Sequence, residues 1–464
     1  MRPAGRSFLV FVLLVLGLAP VPVAAQASGP VYVVQAGDTL WGIALMFGLD
    51  AAQLADANAM TLNDPLVVGR EIVVPGFEGI SGVLTTRSVD FGETVRSLSL
   101  RHGLTTETVM RLNRVVNPGR LFVGQDVIFP QGQGDGLLIP ESATLQVEDG
   151  ETDLELSMRS GFSSWALRAI NARTMRMWSV PGERLSVPAP GRPSTGLDLH
   201  VESVTVQPLP ARQGRTSEIE VRMQGADAPQ GSLGEWTLGF HALETGRWIA
   251  LQGVHALADP GMIDLHLRLG GAAGHLAQEF VQPVYLASGD YGFDPILNVP
   301  DETIDPEKTR PEDEKVAALV APFTPERMWE SPFLYPAAYT ESFPSRFGSR
   351  RNYNGTGYNY YHAGLDFYGG TGAEITAPAR GRVVFADALT VRGNMTIIDH
   401  GWGVYTAYLH QSEIRVSPGD IVEAGQIIGL VGATGRVTGP HLHWEVWVGG
   451  VPVDPLEWIE TTYP

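Results

Sequence analysis

The chain has 464 residues, enough for about three domains of ordinary size. Hydrophobic residues make up 44% and charged residues 18%, a composition that excludes an intrinsically disordered chain. The net charge of −19 argues against nucleic acid as a partner, because an acidic surface repels phosphate backbones. The chain has no cysteine, which excludes disulfides, thiol nucleophiles, Cys-ligated zinc and a lipid anchor on an N-terminal cysteine.

Residues 1–27 are predicted to be a cleaved secretory signal. Arg2 and Arg6 precede an apolar run over 8–18, and Ala-Gln-Ala at 25–27 supplies a small-residue cleavage site. Two prolines end the apolar run well short of the roughly 20 residues that a membrane span needs. No later stretch is long and apolar enough to span a membrane. The protein is therefore expected to be exported, with no transmembrane anchor once the signal has been removed.

Three stretches repeat the same landmarks at the same offsets. Each opens on Gly-Asp-Thr or Gly-Glu-Thr, and a Gly, an Asn, a Gly and a Pro follow 11, 21, 32 and 38 residues after the first glycine. The landmarks are Gly37, Gly48, Asn58, Gly69 and Pro75; Gly92, Gly103, Asn113, Gly124 and Pro130; and Gly150, Gly161, Asn171, Gly182 and Pro188. The copies are assigned to residues 31–76, 85–131 and 143–189, of which the third is divergent.

Each copy is predicted to fold as a β-α-α-β unit. In the first, a β-branched run over 32–34 leads to apolar residues at helical spacing, which stop at Gly48 as a helix does before a C-terminal glycine. A second helix carries Asn58 near its end, and an alternating strand over 71–74 follows. Trp41 is expected to pack against its helix rather than to stack on a ligand.

These stretches resemble LysM domains, most closely in the first copy, where residues 32–44 read Tyr-Val-Val-Gln-Ala-Gly-Asp-Thr-Leu-Trp-Gly-Ile-Ala. The resemblance implies binding to chains that contain N-acetylglucosamine, such as peptidoglycan or chitin. In the third copy, Asp153-Leu154-Glu155 replaces the usual apolar start of the first helix. The third copy is therefore either a glycan-binding module or a spacer.

Residues 196–299 alternate polar and apolar side chains in several short segments separated by turn signals, which predicts a β-sandwich. This domain is expected to be a spacer or to occlude the catalytic groove. Its histidines share no spacing and are interpreted as surface or packing residues: His200, His241, His255, His266 and His275. Residues 300–324 are rich in Asp, Glu and Pro, which favours an extended, solvated linker ahead of a C-terminal domain over 325–464.

The C-terminal domain carries the residues with the most specific spacing. His362 has Asp366 four residues on, His410 lies in Tyr-Leu-His, and His441 and His443 lie in Gly-Pro-His-Leu-His-Trp-Glu. A catalytic zinc takes three protein ligands from His nitrogens and carboxylate oxygens and keeps a position open for water. Residues two apart on a strand face the same side, so His441 and His443 are expected to project together. These residues form a candidate zinc-hydrolase site.

One metal ion can reach both His362 and Asp366 only if the chain between them is not straight. Four residues of extended strand span about 13 Å, which is too far for two ligands of the same ion. Gly364 lies midway and permits a bend.

Residues from Phe343 to Pro455 resemble the lysostaphin-like (LytM-type) zinc endopeptidases of peptidoglycan, over about a quarter of the chain. The matching stretches include Ser345-Arg-Phe-Gly-Ser-Arg, His362-Ala-Gly-Leu-Asp-Phe, Asp399-His-Gly-Trp-Gly, Tyr408-Leu-His, Thr438-Gly-Pro-His-Leu-His-Trp-Glu-Val and Pro452-Val-Asp-Pro.

The resemblance implies that His362, Asp366 and His443 bind zinc and that His410 and His441 are the catalytic histidines beside it. Zinc lowers the pKa of bound water to roughly 7 and polarises the scissile carbonyl. One neutral imidazole can then take the proton of the water, while a second stabilises the oxyanion or protonates the leaving amine. The sequence leaves open which histidine has which role.

Some members of that family also use a tyrosine to stabilise the oxyanion. Tyr358, Tyr360, Tyr361 and Tyr408 are all near the predicted site, and no spacing distinguishes one of them. His400, in the turn Asp-His-Gly-Trp-Gly, is interpreted as a structural residue.

The sequence therefore predicts a multidomain protein with three α+β LysM modules, a β-sandwich and a mainly antiparallel β peptidase domain. The function expected is that of a secreted zinc endopeptidase, in the periplasm or the cell wall, which cleaves cross-links or stem peptides of peptidoglycan while LysM repeats hold it on glycan. Two alternatives stay open: a silent or self-inhibited regulator of other wall hydrolases, and a wall-binding anchoring protein.

Overall fold

The structure is a computed structural model, which describes residues 29–464 apart from 78, 132–141, 172–179, 190–196, 198–200, 225–226, 270–276 and 331. The predicted signal segment over 1–27, His200 and His275 lie outside the described residues. The chain forms two compact units: the first ends at Leu84 and the second begins at Thr85, with Pro130 and Gln131 grouped with the first. Among the described residues, no helix is both long and apolar enough to cross a membrane.

The first unit contains the first repeat. Its elements are β1 (Val31–Val33), α1 (Leu40–Phe47), α2 (Ala51–Ala57) and β2 (Glu71–Val73), and β1 pairs antiparallel with β2. The side chain of Thr39 accepts a hydrogen bond from the Gly42 amide and so caps α1. Gly48 ends α1 with φ 68°, a left-handed conformation that glycine adopts without steric cost.

The expectation that Trp41 packs against its own helix is wrong, because its side chain is 62% exposed. The buried residues of α1 recur at helical spacing, and Trp41 falls on the opposite, solvent-facing side. The buried set is Leu40, Ile43, Ala44 and Phe47.

The second and third repeats have the same order of elements. The second is β3 (Val83–Ser88), α3 (Val95–His102), α4 (Thr106–Leu112), a 3-10 helix (Pro118–Arg120) and β4 (Asp126–Gln131). The third is β5 (Ser142–Gln146), α5 (Asp153–Ser160), α6 (Ser164–Ile170) and β6 (Arg184–Pro188). The third copy therefore keeps the β-α-α-β order despite its acidic first helix.

The asparagine that recurs in the repeats joins the second helix of each copy to its last strand. In the second copy, the Asn113 side chain donates to the carbonyls of Val109 and Ile128, and accepts from the Ile128 amide at 2.5 Å. Asn58 and Asn171 make the equivalent three bonds in their own copies. The repeated asparagine is thus a structural tie that closes the module.

Residues 201–287 form two sheets. Their strands are β7 (Val201–Gln207), β8 (Ala211–Arg212), β9 (Thr216–Met223), β10 (Gln230–Leu233), β11 (Trp236–Thr237), β12 (Phe240–Glu244), β13 (Arg247–Gly253), β14 (Gly261–Leu269) and β15 (Gln278–Ala287). One sheet has the order β11-β10-β14-β15-β8 and the other β12-β13-β9-β7. Apolar residues of both sheets share one buried cluster, which is the packing expected of a two-layer β domain.

The expectation of an extended linker over 300–324 is wrong for most of that segment. A 3-10 helix (Asp301–Thr303) leads into α7 (Pro306–Val320), which the Asp305 side chain caps. Val316 and Val320 are fully buried against the C-terminal sheet. Glu307, Asp313 and Glu314 are exposed, whereas Glu312 is buried on the same stripe as the two valines. Composition alone concealed this buried stripe at i, i+4 spacing.

The C-terminal domain is built of antiparallel strands. They are β16 (Arg350–Arg351), β17 (Tyr360–Tyr361), β18 (Leu365–Tyr368), β19 (Glu374–Thr376), β20 (Gly381–Leu389), β21 (Gly393–Gly401), β22 (Val404–Gln411), β23 (Glu413–Ile414), β24 (Ile421–Val422), β25 (Ile427–Leu430), β26 (His441–Val448) and β27 (Val451–Val453), followed by α8 (Pro455–Glu460). The main sheet has the order β18-β26-β22-β21-β20-β24, with β27 on β26, and β19-β25-β23 form a smaller sheet.

The two-sheet domain and the C-terminal domain share a core. Ile249 and Leu251 of β13 belong to the same buried cluster as the apolar face of the C-terminal sheet. The Thr216 amide donates to Glu457 Oε1 at 2.8 Å, and the Asp454 amide donates to the Gly214 carbonyl at 2.8 Å. The two domains are therefore joined by apolar packing as well as by hydrogen bonds.

Candidate metal centre and cleft

Strand pairing brings together the residues that the sequence predicted as metal ligands. In the antiparallel pair β18–β26, Asp366 lies directly opposite His443. The chain bends at Gly364, just before β18, and this bend turns His362 towards the same point. A Cβ on Gly364 would lie 2.9 Å from His443 Nε2, so a larger residue there would collide with the site. The bend that the spacing of His362 and Asp366 requires is present.

Three ligand atoms of these residues converge within the sheet. His362 Nε2 lies 3.0 Å from Asp366 Oδ1 and 2.9 Å from His443 Nδ1, and His443 Nδ1 lies 2.8 Å from the same Asp366 oxygen. All three residues are buried, and they are the group of potential metal ligands found among the described residues.

The hydrogen bonds on the outer sides of the two imidazoles show that this cluster fits a cation. His362 Nδ1 donates to the Arg346 carbonyl at 2.9 Å, and His443 Nε2 donates to Glu445 Oε1 at 3.1 Å. When each ring is neutral, with its proton on that outer nitrogen, the two nitrogens that face each other both carry lone pairs, and an anionic oxygen faces them. Two imidazole nitrogens and one carboxylate oxygen are the ligand set of many catalytic zinc sites.

Glu445 is a functional candidate that the sequence reasoning missed. Its carboxylate accepts from His443 Nε2 and, through Oε2, from Trp447 Nε1 at 2.8 Å. A carboxylate behind a histidine ligand fixes the ring and increases its basicity. The signal was present in the sequence, because residues two apart on a strand share a face and Glu445 follows His443 by two positions.

Arg351 lies against Asp366, the third potential ligand. Its Nη2 lies 3.6 Å from Asp366 Oδ2, the oxygen that does not face the histidines, and its Nε donates to Asp294 at 3.3 Å. Neither Arg351 nor Asp294 was predicted, since no pattern in the sequence links them to the site.

Burial and charge set the ionisation of these groups. Burial opposes ionisation of Asp366, but His362 and His443 hold the pKa of its carboxyl well below the usual range. Burial lowers the pKa of His362 to about 4. For His443, burial acts in the same direction, but hydrogen bonds to Asp366 and Glu445 outweigh it and raise the pKa to about 9.

His410 and His441 lie beside the cluster without belonging to it. The His410 ring is 5.1 Å from that of His441 and 6.0 Å from that of His443, measured between centroids. His410 Nδ1 donates to the Thr434 carbonyl and His441 Nδ1 to the Gly439 carbonyl, each at 2.8 Å. In both rings Nε2 is then the basic atom, and His441 Nε2 lies 3.6 Å from Asp366 Oδ1.

The backbone and the burial of His410 set it apart from an ordinary strand residue. Its φ is 64°, a left-handed conformation that costs a non-glycine residue free energy and is concentrated at functional sites. Burial lowers the pKa of His410 to about 3, so the ring stays neutral at neutral pH. Because Nδ1 donates to the Thr434 carbonyl, Nε2 is the atom of this neutral ring that carries the lone pair.

The structure separates the remaining candidates. His400 is fully buried, with Nδ1 donating to the Arg380 carbonyl and Nε2 lying 2.8 Å from Thr406 Oγ1. Both nitrogens of His400 therefore contact groups outside the cluster of His362, Asp366 and His443, which fits a structural role. Tyr408 is buried in the sheet, where its hydroxyl lies 2.9 Å from Thr406 Oγ1. Tyr360 and Tyr361 line the cleft.

The cluster lies in a cleft of about 890 Å³ whose walls come from several parts of the second unit. His255 and Leu257 of the two-sheet domain contribute to the lining, together with the segment 294–304 that precedes α7. His255 Nε2 lies 3.3 Å from the Tyr361 hydroxyl. The cleft is thus completed by residues outside the C-terminal domain.

The segment 294–304 is held by hydrogen bonds near both of its ends. On one side, the Asp294 amide donates to the Arg350 carbonyl at 2.9 Å and the Leu297 amide donates to the Asn352 carbonyl at 2.9 Å. On the other, the Thr303 carbonyl accepts from Arg436 Nη1 at 2.7 Å.

Comparisons with known proteins identify two kinds of domain. Residues 360–455 match the family described as Peptidase family M23, and residues 32–75 and 88–130 match the LysM domain. These ranges include the predicted ligands His362, Asp366 and His443, and the first two repeats.

Curated relatives match the C-terminal part of the chain. The peptidoglycan DD-endopeptidase ShyB of Vibrio cholerae is 41% identical over 113 residues, which are 24% of this chain and 26% of that protein. The DD-carboxypeptidase/endopeptidase Mpg of Neisseria meningitidis is 41% identical over 95 residues, 20% of this chain and 22% of that protein. The chain thus covers about a quarter of the length of these relatives.

A solved peptidase M23 structure from Pseudomonas aeruginosa is similar at 26% identity, with a TM-score of 0.40, and covers 55% of this chain and 96% of its own. The residues that match the two family models lie on both sides of the two-sheet domain: 32–75 and 88–130 before it, and 360–455 after it. The chain carries LysM domains in its N-terminal part and a peptidase domain of family M23 in its C-terminal part.

Proposed function

We propose that this chain is a secreted, zinc-dependent endopeptidase that cleaves peptide bonds in the cross-links or stem peptides of peptidoglycan. The observation that carries the proposal is the convergence of His362 Nε2, Asp366 Oδ1 and His443 Nδ1 within 3.0 Å of one another. The M23 domain that contains them, and the DD-endopeptidase relatives that match it, support a peptide bond of the wall as the substrate.

His362, Asp366 and His443 would hold the metal through the atoms that converge. A bound zinc ion supplies a Lewis acid for the scissile carbonyl and lowers the pKa of a water molecule to roughly 7. A catalytic zinc keeps a fourth position for water. His362, Asp366 and His443 all line the cleft that substrate would enter.

His410 and His441 would move the protons. Each donates its Nδ1 proton to a backbone carbonyl, so each presents a basic Nε2 on the side of the cleft. Between them they accept the proton of the attacking water and return a proton to the leaving amine. A positioned acid or base of this kind contributes roughly a factor of 100 to 10,000 in rate.

The LysM repeats would hold the enzyme on glycan and export would bring it to the wall. Tethering raises the local concentration of substrate without a new contact in the active site. LysM matches over 32–75 and 88–130 support this role for the first two repeats, and the third repeat keeps the same fold.

Digestion of purified peptidoglycan by the mature protein tests the proposal, with products resolved by mass spectrometry. The expected result is loss of cross-linked dimers, abolished by a chelator, restored by added zinc, and absent in His441→Ala. Because His441 is not one of the three converging ligands, His441→Ala is expected to keep its zinc.

Intact cross-links with zinc-loaded wild-type protein would contradict the proposal. That result would favour a self-inhibited regulator, since the segment 294–304 and the two-sheet domain line the cleft. Protein that neither cleaves nor retains zinc would instead favour a wall-binding anchor.

A further inference from the structure

The arginines that line the cleft differ in what neutralises them. Arg351 Nε lies 3.3 Å from Asp294 Oδ2, and its Nη2 lies 3.6 Å from the ligand Asp366. Arg392 Nη1 lies 3.0 Å from Glu312 and 2.9 Å from Asp313. Both guanidinium groups therefore already have carboxylate partners within the protein.

Arg436, the third arginine of the cleft lining, has a different environment. No carboxylate of the described residues lies within 4.0 Å of its guanidinium nitrogens. One N–H of Nη1 donates to the Thr303 carbonyl at 2.7 Å, and Cζ lies 4.5 Å from the ring centroid of Tyr353. A carbonyl and an aromatic face orient a guanidinium without cancelling its charge.

The backbone holds Arg436 in place beside the catalytic residues. Its amide donates to the Val391 carbonyl at 2.8 Å, next to Arg392. Five residues further on, His441 begins β26 and is held by the carbonyl of Gly439 in the same loop. The side chain thus reaches into the cleft from a loop that leads directly into the catalytic strand.

A carboxylate is the ligand that this arrangement fits. A guanidinium has five N–H donors in a planar fork, and the hydrogen bond of Arg436 to Thr303 uses one of them. The fork matches a carboxylate in a two-bond geometry. In a chain with a net charge of −19, a cation in the cleft without a carboxylate partner is a specific feature rather than a general property of the surface.

We propose that Arg436 is a specificity residue that binds a carboxylate of the substrate peptide close to the scissile bond. The inference rests on the proposed function and deepens it: the enzyme selects wall peptides with free carboxyl groups over peptides in which those groups are amidated. Thr303 and Tyr353 orient Arg436 for this contact.

The test compares two muropeptide dimers that differ only in whether the carboxyl groups beside the scissile bond are free or amidated. Wild-type protein is expected to show a kcat/KM at least about tenfold higher for the free acid, mainly through KM, as a charge-assisted bidentate contact predicts. Arg436→Gln should lose this preference through a higher KM for the free-acid dimer. Arg436→Lys should recover part of the preference, since it restores the charge without the fork.

Arg415→Gln is the matched control, because Arg415 is exposed and pairs with Glu413 outside the cleft. It should leave the preference unchanged. Equal kcat/KM of wild type on the two dimers, or an Arg436→Gln protein that keeps the preference, would overturn the inference and leave the proposed function intact.

Two further outcomes also count against it. If Arg436→Gln cleaves both dimers faster, the contact with Thr303 is a latch on the cleft and not part of a binding site. If the zinc-loaded wild type cleaves neither dimer, the proposed function fails, and this inference fails with it.

Discussion

His443 is the residue around which the candidate metal centre is arranged. One of its nitrogens faces Asp366 and His362, and the other is held by the buried carboxylate of Glu445. The Glu445 carboxylate is oriented in turn by the indole of Trp447. The orientation of the His443 ring therefore depends on Glu445, which does not itself face Asp366 and His362.

Glu445→Gln should weaken zinc binding by roughly 10- to 100-fold, because the neutral amide holds the His443 ring less firmly and no longer increases its basicity. Competition of the purified protein with a chromogenic chelator measures this affinity directly. The matched control is Glu423→Gln, whose side chain is 67% exposed. Equal zinc affinity for Glu445→Gln and wild type would show that Glu445 does not position the ligand.

His410→Ala should separate catalysis from metal binding. Removal of a positioned acid or base is expected to lower the rate of cross-link cleavage by roughly 100- to 10,000-fold while the zinc content stays that of wild type. Metal analysis and release of cross-linked dimers, measured on the same sample, test the zinc content and the cleavage rate respectively. The control is His266→Ala, at an exposed position, which should change neither the cleavage rate nor the zinc content. Loss of zinc in His410→Ala would mean that His410 holds the metal site together.

At the residue scale, a site residue could be predicted from the sequence where the geometry of a single strand determines its position. The spacing of His441 and His443 on a strand, and the bend needed between His362 and Asp366, could be deduced from strand geometry. The same rule would have identified Glu445. Arg351 could not be found in this way, because its approach to Asp366 depends on a tertiary contact.

At the scale of the elements, the three asparagine ties explain why the repeats keep their landmarks. Each asparagine satisfies a strand amide and two carbonyls at once. Buried backbone groups left without partners are costly, so the tie couples the second helix to the last strand.

Asn113→Ala is expected to lower the free energy of unfolding of the second repeat by about 1–3 kcal/mol, because the Ile128 amide loses its acceptor. Urea denaturation followed by circular dichroism or hydrogen exchange of that repeat measures the change. Asn117→Ala, at an exposed cap of the 3-10 helix, should cost less. A larger loss for Asn117→Ala than for Asn113→Ala would refute the structural role of the tie.

The order of elements in the repeats could be predicted because periodicity and glycine stops are local signals. Helix α7 was missed because its acidic and proline-rich composition resembles that of a linker. Its stability comes from Val316 and Val320 packing on the C-terminal sheet, a contact that composition does not reveal. Pro306 opens the helix at its first turn, where a missing amide hydrogen costs nothing.

At the scale of the second unit, the two-sheet domain is part of the structure that supports the cleft rather than a detached spacer. Ile249 and Leu251 lie in the C-terminal core, and Glu457 accepts hydrogen bonds from the amide and the hydroxyl of Thr216. Arg215 and Asp454 also face this contact, with Arg215 Nη2 3.4 Å from Asp454 Oδ2.

This contact should make stability depend on pH. Burial raises the pKa of Glu457 to about 7 from an ordinary value of 4.5. Between pH 4.5 and pH 7, Glu457 loses its proton in the unfolded chain but keeps it in the folded protein. Its contribution to the free energy of unfolding is therefore complete below about pH 4.5 and is lost as the pH rises through 7.

Glu457→Gln should remove that dependence, since the amide does not titrate in this range. Melting temperatures measured from pH 5 to pH 8 are expected to fall for wild type relative to Glu457→Gln, with most of the change below about pH 7. Parallel curves for the two proteins would show that the carboxyl of Glu457 does not change its charge in this window.

The measurement that tests the account most directly is a zinc titration of the metal-free, full-length mature protein, with release of cross-linked peptidoglycan dimers as the readout. The account predicts that cleavage rises with added zinc and saturates at one zinc per chain, and that Asp366→Asn shows neither tight binding nor cleavage. Cleavage that persists without metal, or one tightly bound zinc with no cleavage at all, would contradict it.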